Sequence, residues 1–278
     1  MDHSSMPIAS DFRVLNTSTT GSSMIVRIAK NGRFRVLKVL KSELRGNPRC
    51  EALLRKEFET GYGLDHPNIC KVYSFGEDER FGHYIEMEWV DGVTLKEMLL
   101  SGVIDKKLCR KLICELCDAL DYMHHAQVVH RDLKPENVMV TNNGRNVKVI
   151  DFGLSDEDSC YEYRVPGGTV SYASPEQLAG MPVDCRSDIY SLGLIINEIS
   201  EGKYSRICAK CLKRNPAGRY SSARDVRTAI VRRPYIVTSA VVTAMLVILT
   251  VVMVFCSVRS HEKDRIFEDA TQEIMELL

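Results

Sequence analysis

His130-Arg131-Asp132-Leu133-Lys134-Pro135-Glu136-Asn137 gathers a carboxylate, an ammonium and a carboxamide into one turn-rich loop, between a helical run and a short apolar strand. Fourteen residues beyond Asn137, directly after the apolar run 147–150, stands Asp151-Phe152-Gly153. Moving a phosphoryl group asks little covalent chemistry of a protein. It asks for a carboxylate that orients the attacking hydroxyl and accepts its proton, and for cations around the group in transit. Asp132 and Lys134 are of those types. A carboxylate at a strand end, followed by glycine, suits a divalent-metal ligand in a loop. Neither fragment decides the matter by itself, because an isolated Asp-Phe-Gly arises often by chance.

Working outward, residues 24–29 and 34–40 are β-like runs on either side of Asn31-Gly32, a tight-turn signal. Residues 50–64 read as a helix with Leu53, Leu54 and Phe58 on one face, weakened at its end by Gly61 and Gly63 and stopped by His66-Pro67-Asn68. Strand-like runs follow at 70–75 and 83–89, then a long helix at 108–125. Short strands at 137–140 and 147–150 flank the turn Asn142-Asn143-Gly144, and the chain beyond Asp188 reads mostly helical. Strands with one helix, followed mainly by helices, predict an α+β protein of two lobes.

The 278 residues carry 37 basic and 37 acidic side chains, and this balance speaks against a nucleic-acid binder working through a broad basic face. Cys114/Cys117 and Cys208/Cys211 form two C-x-x-C pairs, each half of a zinc set by spacing. Both sit in apolar-periodic helical runs, so they read better as reduced thiols on buried helix faces. The polar N-terminal stretch lacks the apolar core of a secretory signal, which places the bulk of the chain in a reducing cytosol.

Residues 235–258 differ from everything before them: 24 residues without a charged side chain. At ~1.5 Å per residue, such a helix exceeds the ~30 Å hydrocarbon core of a bilayer, so it reads as a membrane span. Arg224, Arg227, Arg232 and Arg233 precede it, and the sparser Arg259, Lys263 and Arg265 follow. The excess favours a cytoplasmic N-terminal part. The tail 259–278 is too short for a domain; Ile266, Phe267, Ala270, Ile274 and Leu277 recur at helical spacing, so it reads as a short amphipathic, extracytoplasmic helix. Small residues Ser239, Ala240, Thr243 and Ala244 offer a pattern for homodimeric helix pairing.

Taken in order, these landmarks resemble the protein kinase superfamily over about residues 11–231. The resemblance implies a small β-rich N-lobe with one helix, a larger helical C-lobe, and transfer of the γ-phosphoryl of ATP with Mg2+, or Mn2+, to protein Ser or Thr hydroxyls. It casts Asp132 as the catalytic aspartate, Lys134 as the lysine on the transferring phosphate, and Asn137 and Asp151 as metal ligands. Lys38 matches the phosphate-binding lysine and Glu57 the helix glutamate that pairs with it. Gly21 belongs to the glycine loop. Val26, Val36 and Met139 match residues that sandwich adenine, Met87 the gatekeeper, and Glu88, Trp89 and Val90 the hinge. His130, Arg131, Phe152, Gly153, Glu176, Asp188 and Arg219 match supporting positions, with Arg219 pairing Glu176. Ser155, Ser159 and Thr169 are candidate phosphosites. The implied divisions are a flexible 1–10, an N-lobe and hinge at 11–90, a C-lobe at 91–231, a link at 232–234, the span and the tail. Lys134-Pro135-Glu136-Asn137, Ser174-Pro175-Glu176-Gln177 and the C-terminal anchor are similar to bacterial receptor-type serine/threonine kinases.

Three departures stand out. Of the glycine loop's three glycines only Gly21 survives, in Thr19-Thr20-Gly21-Ser22-Ser23-Met24-Ile25-Val26, which predicts weaker ATP binding. Gly61, four residues after Glu57, replaces a large apolar residue and costs the helix ~1 kcal/mol relative to alanine. Between Asp188 and Arg219 the chain is short, so much of the substrate-docking helix is missing. These departures motivate an alternative: a catalytically weak pseudokinase serving as a membrane-tethered scaffold. A small-molecule kinase on a related fold is the third reading, disfavoured by the complete activation segment.

Overall fold

The computed structural model describes residues 12–16, 22–151 and 172–276, with 16, 233–241, 261–264 and 266–276 described by backbone alone. Asn31 and Gly32 take φ values of 51° and 72°, the double left-handed geometry of a two-residue hairpin turn. β2 (Ser23–Lys30) and β3 (Arg33–Leu40) pair across it in unbroken antiparallel register, from Lys30 opposite Arg33 to Ser23 opposite Leu40. With β1 (Phe12–Asn16), β4 (Val72–Asp78) and β5 (Gly82–Glu88) they form a five-stranded sheet in the order β1-β2-β3-β5-β4. Successive side chains of a strand point to opposite faces. Leu37 and Val39 therefore join Val26, Ile28 and Phe81 in a small outer core, whereas Val36 and Leu40 join the main core.

Helix α1 (Pro48–Tyr62) starts where Asn47 accepts hydrogen bonds from the N–H groups of Arg49 and Cys50, with Pro48 in its first turn. It packs on β3, β4 and β5. The strand expected at 70–75 begins only at Val72, because residues 69–70 bridge elsewhere. Ile69 pairs with Val149, and Cys70 N–H donates to Val149 O at 2.8 Å.

The second lobe opens with β6 (Gly92–Thr94) and α2 (Leu95–Ser101), the latter started by a reciprocal Thr94–Glu97 capping box. α3 (Lys106–His125) is capped by Asp105 and buries Leu112, Ile113, Leu116, Cys117, Leu120 and Met123, the three-and-four spacing of one helix face. β7 (Val138–Thr141) and β8 (Val147–Val149) complete a three-stranded sheet with β6. α4 (Pro175–Leu178) and α5 (Cys185–Ser200) follow, and only residues 201–204 separate α5 from α6 (Ser205–Cys211). A Cβ on Gly193 of α5 would come within 2.5 Å of the Cys211 Cβ, so the glycine permits the close approach of α6.

α7 (Ala223–Glu276) begins with Ala223, Val226 and Ile230 fully buried in this lobe's core. The chain divides into two compact units at Ile230/Val231. In the second, Val242–Ser260 is a 19-residue stretch long and apolar enough to cross a bilayer, with none of it buried within the protein. The tail is not a separate helix: α7 runs on to Glu276, since no glycine or proline after Pro234 stops it.

Cys117, Cys208 and Cys211 are buried in the main core, and Cys114 packs against it. No group of three metal-ligating side chains occurs among the described residues.

Candidate active site

Strand alternation on β3 sends Lys38 to the same face as Val36, where it is 8% exposed. Its Nζ reaches Glu57 Oε1 on α1 at 2.6 Å and also contacts Asp151 Oδ1. One ammonium thus faces two carboxylates. Burial alone would lower the Lys38 pKa, but Asp151 and Glu57 raise it above the lysine range. Asp151 would be raised by burial, yet Lys38 draws it below the usual carboxylate range. Glu57 bears the remaining cost: burial, with the negative Asp151 nearby, pushes it up to about 7 despite Lys38.

The loop 130–137 is held by Asp188 at the start of α5, which is fully buried. Its carboxylate accepts the N–H of His130 at 2.8 Å, the N–H of Arg131 at 2.9 Å, and His124 Nε2 at 2.8 Å. Burial would raise its pKa, but the bond to His124 outweighs that and holds it low. These bonds keep Arg131 at φ 65°, a left-handed conformation rare outside glycine; Asp151 shares it at 57°. Non-glycine residues persist there only where the surroundings over-determine them. His130 is fully buried and its Nε2 lies 3.2 Å from Ile150 O.

Within the loop, Lys134 Nζ donates to Asp132 Oδ2 at 2.7 Å. The 3-10 turn Pro135–Asn137 brings Asn137 back, so that its amide nitrogen donates to Asp132 O at 2.8 Å and Oδ2 at 3.1 Å. With the amide hydrogens directed at Asp132, the Asn137 carbonyl oxygen remains as an acceptor. Ile150 N–H donates to Asn137 O at 3.0 Å, which ties this loop to the strand end bearing Asp151. Asn137 and Asp151 thus offer hard oxygen donors from adjoining segments, a set suited to Mg2+.

Beyond them, Glu176 receives both terminal nitrogens of Arg219, at 2.7 Å each, and the Ser187 hydroxyl at 2.6 Å. Burial would raise the Glu176 pKa, but these bonds draw it down to about 2. Gln177 Nε2 donates to Arg131 O at 2.8 Å, joining this segment to the loop 130–137.

The face of β3 that bears Lys38 corrects one assignment. Val26 stands opposite Leu37 and belongs to the outer core, whereas Ile25 stands opposite Lys38 and packs on the main core. A shift of one residue along a strand exchanges the faces, so Ile25 and not Val26 shares the face of Val36 and Lys38. Met87 stands opposite Val36; both are nearly buried, as is Val90, and Met139 lies partly buried on β7. Glu88 donates its own N–H to Lys71 O at 2.8 Å, its carboxylate accepts from Lys71 N–H at 3.1 Å and from Lys148 at 2.8 Å, and its carbonyl oxygen lies 3.6 Å from the Cys70 thiol. The Trp89 ring sits edge-on to Phe34, with Arg27 over both.

Gly21, Phe152, Gly153, Ser155, Ser159 and Thr169 lie outside the described residues. His124, Gln177 and Ile25 are site residues that the sequence pattern does not single out. A lone histidine near a helix end carries no signal until Asp188 is known to face it.

Residues 13–206 match the protein kinase domain family. The chain is 32% identical over 260 residues to the serine/threonine-protein kinase PknB of Mycolicibacterium smegmatis, covering 76% of this chain and 41% of that protein. A probable serine/threonine-protein kinase of Streptomyces coelicolor is 42% identical over 180 residues, 60% of this chain and 26% of its own. The chain therefore spans about two fifths or less of these relatives' length. The crystal structure of the Mycobacterium tuberculosis PknI kinase domain superposes with a TM-score of 0.64 over 83% of this chain and 98% of its own, at 22% identity, a likeness of fold. With the lysine, aspartates and asparagine gathered in that fold, this chain belongs to the protein kinase family.

Proposed function

We infer that the chain is an ATP-dependent protein serine/threonine kinase, tethered to a membrane by α7 and able to phosphorylate its own hydroxyls. The observation that carries this reading is the convergence of two polar sets. Lys38 bridges Glu57 and Asp151, and Lys134 and Asn137 together hold Asp132.

In this reading Asp132 orients a substrate Ser or Thr hydroxyl. As the hydroxyl oxygen forms the new P–O bond and the bridging oxygen departs with ADP, Asp132 accepts the proton. Lys134, 2.7 Å from Asp132, places positive charge where the phosphoryl group passes. Lys38, oriented by Glu57, holds the phosphates of ATP. Asn137 and Asp151 would hold Mg2+, which supplies charge neutralisation for the triphosphate. Ile25, Val36, Met87 and Met139 would enclose the adenine.

The test uses the full chain in lipid nanodiscs with labelled Mg-ATP. Label on its own Ser or Thr residues, absent in Asp132→Asn and Lys38→Met, is the expected result. A folded chain that acquires no label would favour the scaffold reading, to which the degenerate glycine loop already leans.

A further inference from the structure

The charges of this chain balance overall, but not along it. Between 203 and 232 eight basic side chains are exposed, namely Lys203, Arg206, Lys210, Lys213, Arg214, Arg224, Arg227 and Arg232, against one exposed acid, Asp225. Arg224 and Arg227 are engaged by α3, reaching Asp121 at 3.0 Å and Asp118 at 2.8 Å. Asp225 accepts the Ser221 hydroxyl at 2.7 Å. Arg206, Lys213, Arg214 and Arg232 form no ion pair with any described residue.

The placement of these cations is built by the fold. α6 buries Ile207, Cys208 and Cys211, so Arg206 and Lys210, four apart, share its outward face. Lys210 lies 4.1 Å from the centre of the Tyr220 ring, which joins α6 to the segment leading into α7. Arg219 donates to the carbonyl oxygens of Lys213 at 2.8 Å and Arg214 at 3.3 Å, fixing the backbone from which those two side chains project.

Chain length limits where this surface can be. Ile230 is fully buried in the C-lobe, and the uncharged run begins at Tyr235. Five Cα-to-Cα steps reach at most about 18 Å in any conformation. A kinase domain held that close to a bilayer must present some face to the headgroups, and along the chain the residues leading to the anchor are the basic ones. Cytoplasmic leaflets are negatively charged, and basic clusters beside a span are attracted to them.

We propose that the face made by α6, Lys213, Arg214 and the start of α7 binds the anionic headgroups of the bilayer in which the same chain is anchored. The proposal rests on the membrane-tether reading above. Such binding fixes one orientation of the C-lobe at the surface, which a tether alone leaves open.

The full chain is reconstituted into nanodiscs of neutral phosphatidylcholine and into discs with about 30% phosphatidylserine, and amide hydrogen exchange is followed across residues 203–214. Exchange about fivefold slower in the anionic discs is expected, roughly the attraction of one basic residue to the surface. The slowing disappears at about 0.5 M salt, where the screening length is only a few ångströms. It also disappears in the double variant Lys213→Glu, Arg214→Glu, while the N-lobe pair Arg33→Glu, Lys41→Glu leaves it in place. Equal exchange in the two disc types, with the chain retained in both, overturns the proposal but not the tether. Slowing produced equally by soluble inositol phosphate in neutral discs also overturns it. A chain released from membranes by alkaline carbonate removes the tether, and the proposal with it.

Discussion

Glu176, buried, and Glu57, partly buried, each face a cation, yet their surroundings push them in opposite directions. Glu176 meets a guanidinium in two-pronged geometry and a hydroxyl besides, and falls to about 2. Glu57 shares a single ammonium with Asp151 and rises to about 7. The first pair is fully matched and fixes the chain; the second lacks half a partner. In the proposed mechanism this lysine also serves ATP phosphates, so protein alone need not satisfy it.

This contrast is breakable. The largest expected effect is on stability, from Arg219→Met: an unpaired buried carboxylate should cost about 3–5 kcal/mol, read by chemical denaturation. If its midpoint stays at that of the wild type, Glu176 is not held as described. Lys38→Met should cost less stability than Arg219→Met, because the Glu57 and Asp151 side chains are 14% and 39% exposed and water can solvate them, while phosphate transfer falls roughly 10²–10³-fold. A large loss of stability there would erase the distinction between the two pairs. Ser187→Ala should remove a charged hydrogen bond and about 1.5–3 kcal/mol, with activity lowered only in proportion to the folded fraction.

The smallest effect is in pH. The folded-state pKa of Glu176 lies below its ordinary 4.5, so its contribution is complete above that value and disappears as pH falls towards about 2. Glu176→Gln should flatten stability against pH in that window, as followed by acid titration of intrinsic fluorescence. An unchanged slope would mean that other carboxylates govern acid unfolding.

Much of the fold and site is legible in the sequence, and for a physical reason. Asp132, Asn137, Asp151, Lys38 and Glu57 match kinase landmarks in order and spacing, so the resemblance predicts their convergence. The hairpin turn is legible because Asn31-Gly32 tolerates positive φ. Facing across a strand is not: Val26 and Ile25 are equally apolar, and only the ladder register separates them. Nor are Gln177 and His124, whose roles depend on partners 46 and 64 residues away. The extent of α7 is hidden too, since a charged tail after an apolar run reads as a new element.

Arg219 binds more than its glutamate. Its Nε and both terminal nitrogens donate to Glu176 and to the carbonyl oxygens of Lys213, Arg214 and Arg186, occupying all five N–H groups of the guanidinium. The stretch that matches the protein kinase domain family ends at 206, thirteen positions before this arginine. The matched stretch and the physical domain therefore have different ends. A fragment cut at 206 would not shed a tail. It would strand the Glu176 charge in the interior and remove Ala223, Val226 and Ile230 from the main core. The smallest autonomous piece of this protein extends through Ile230.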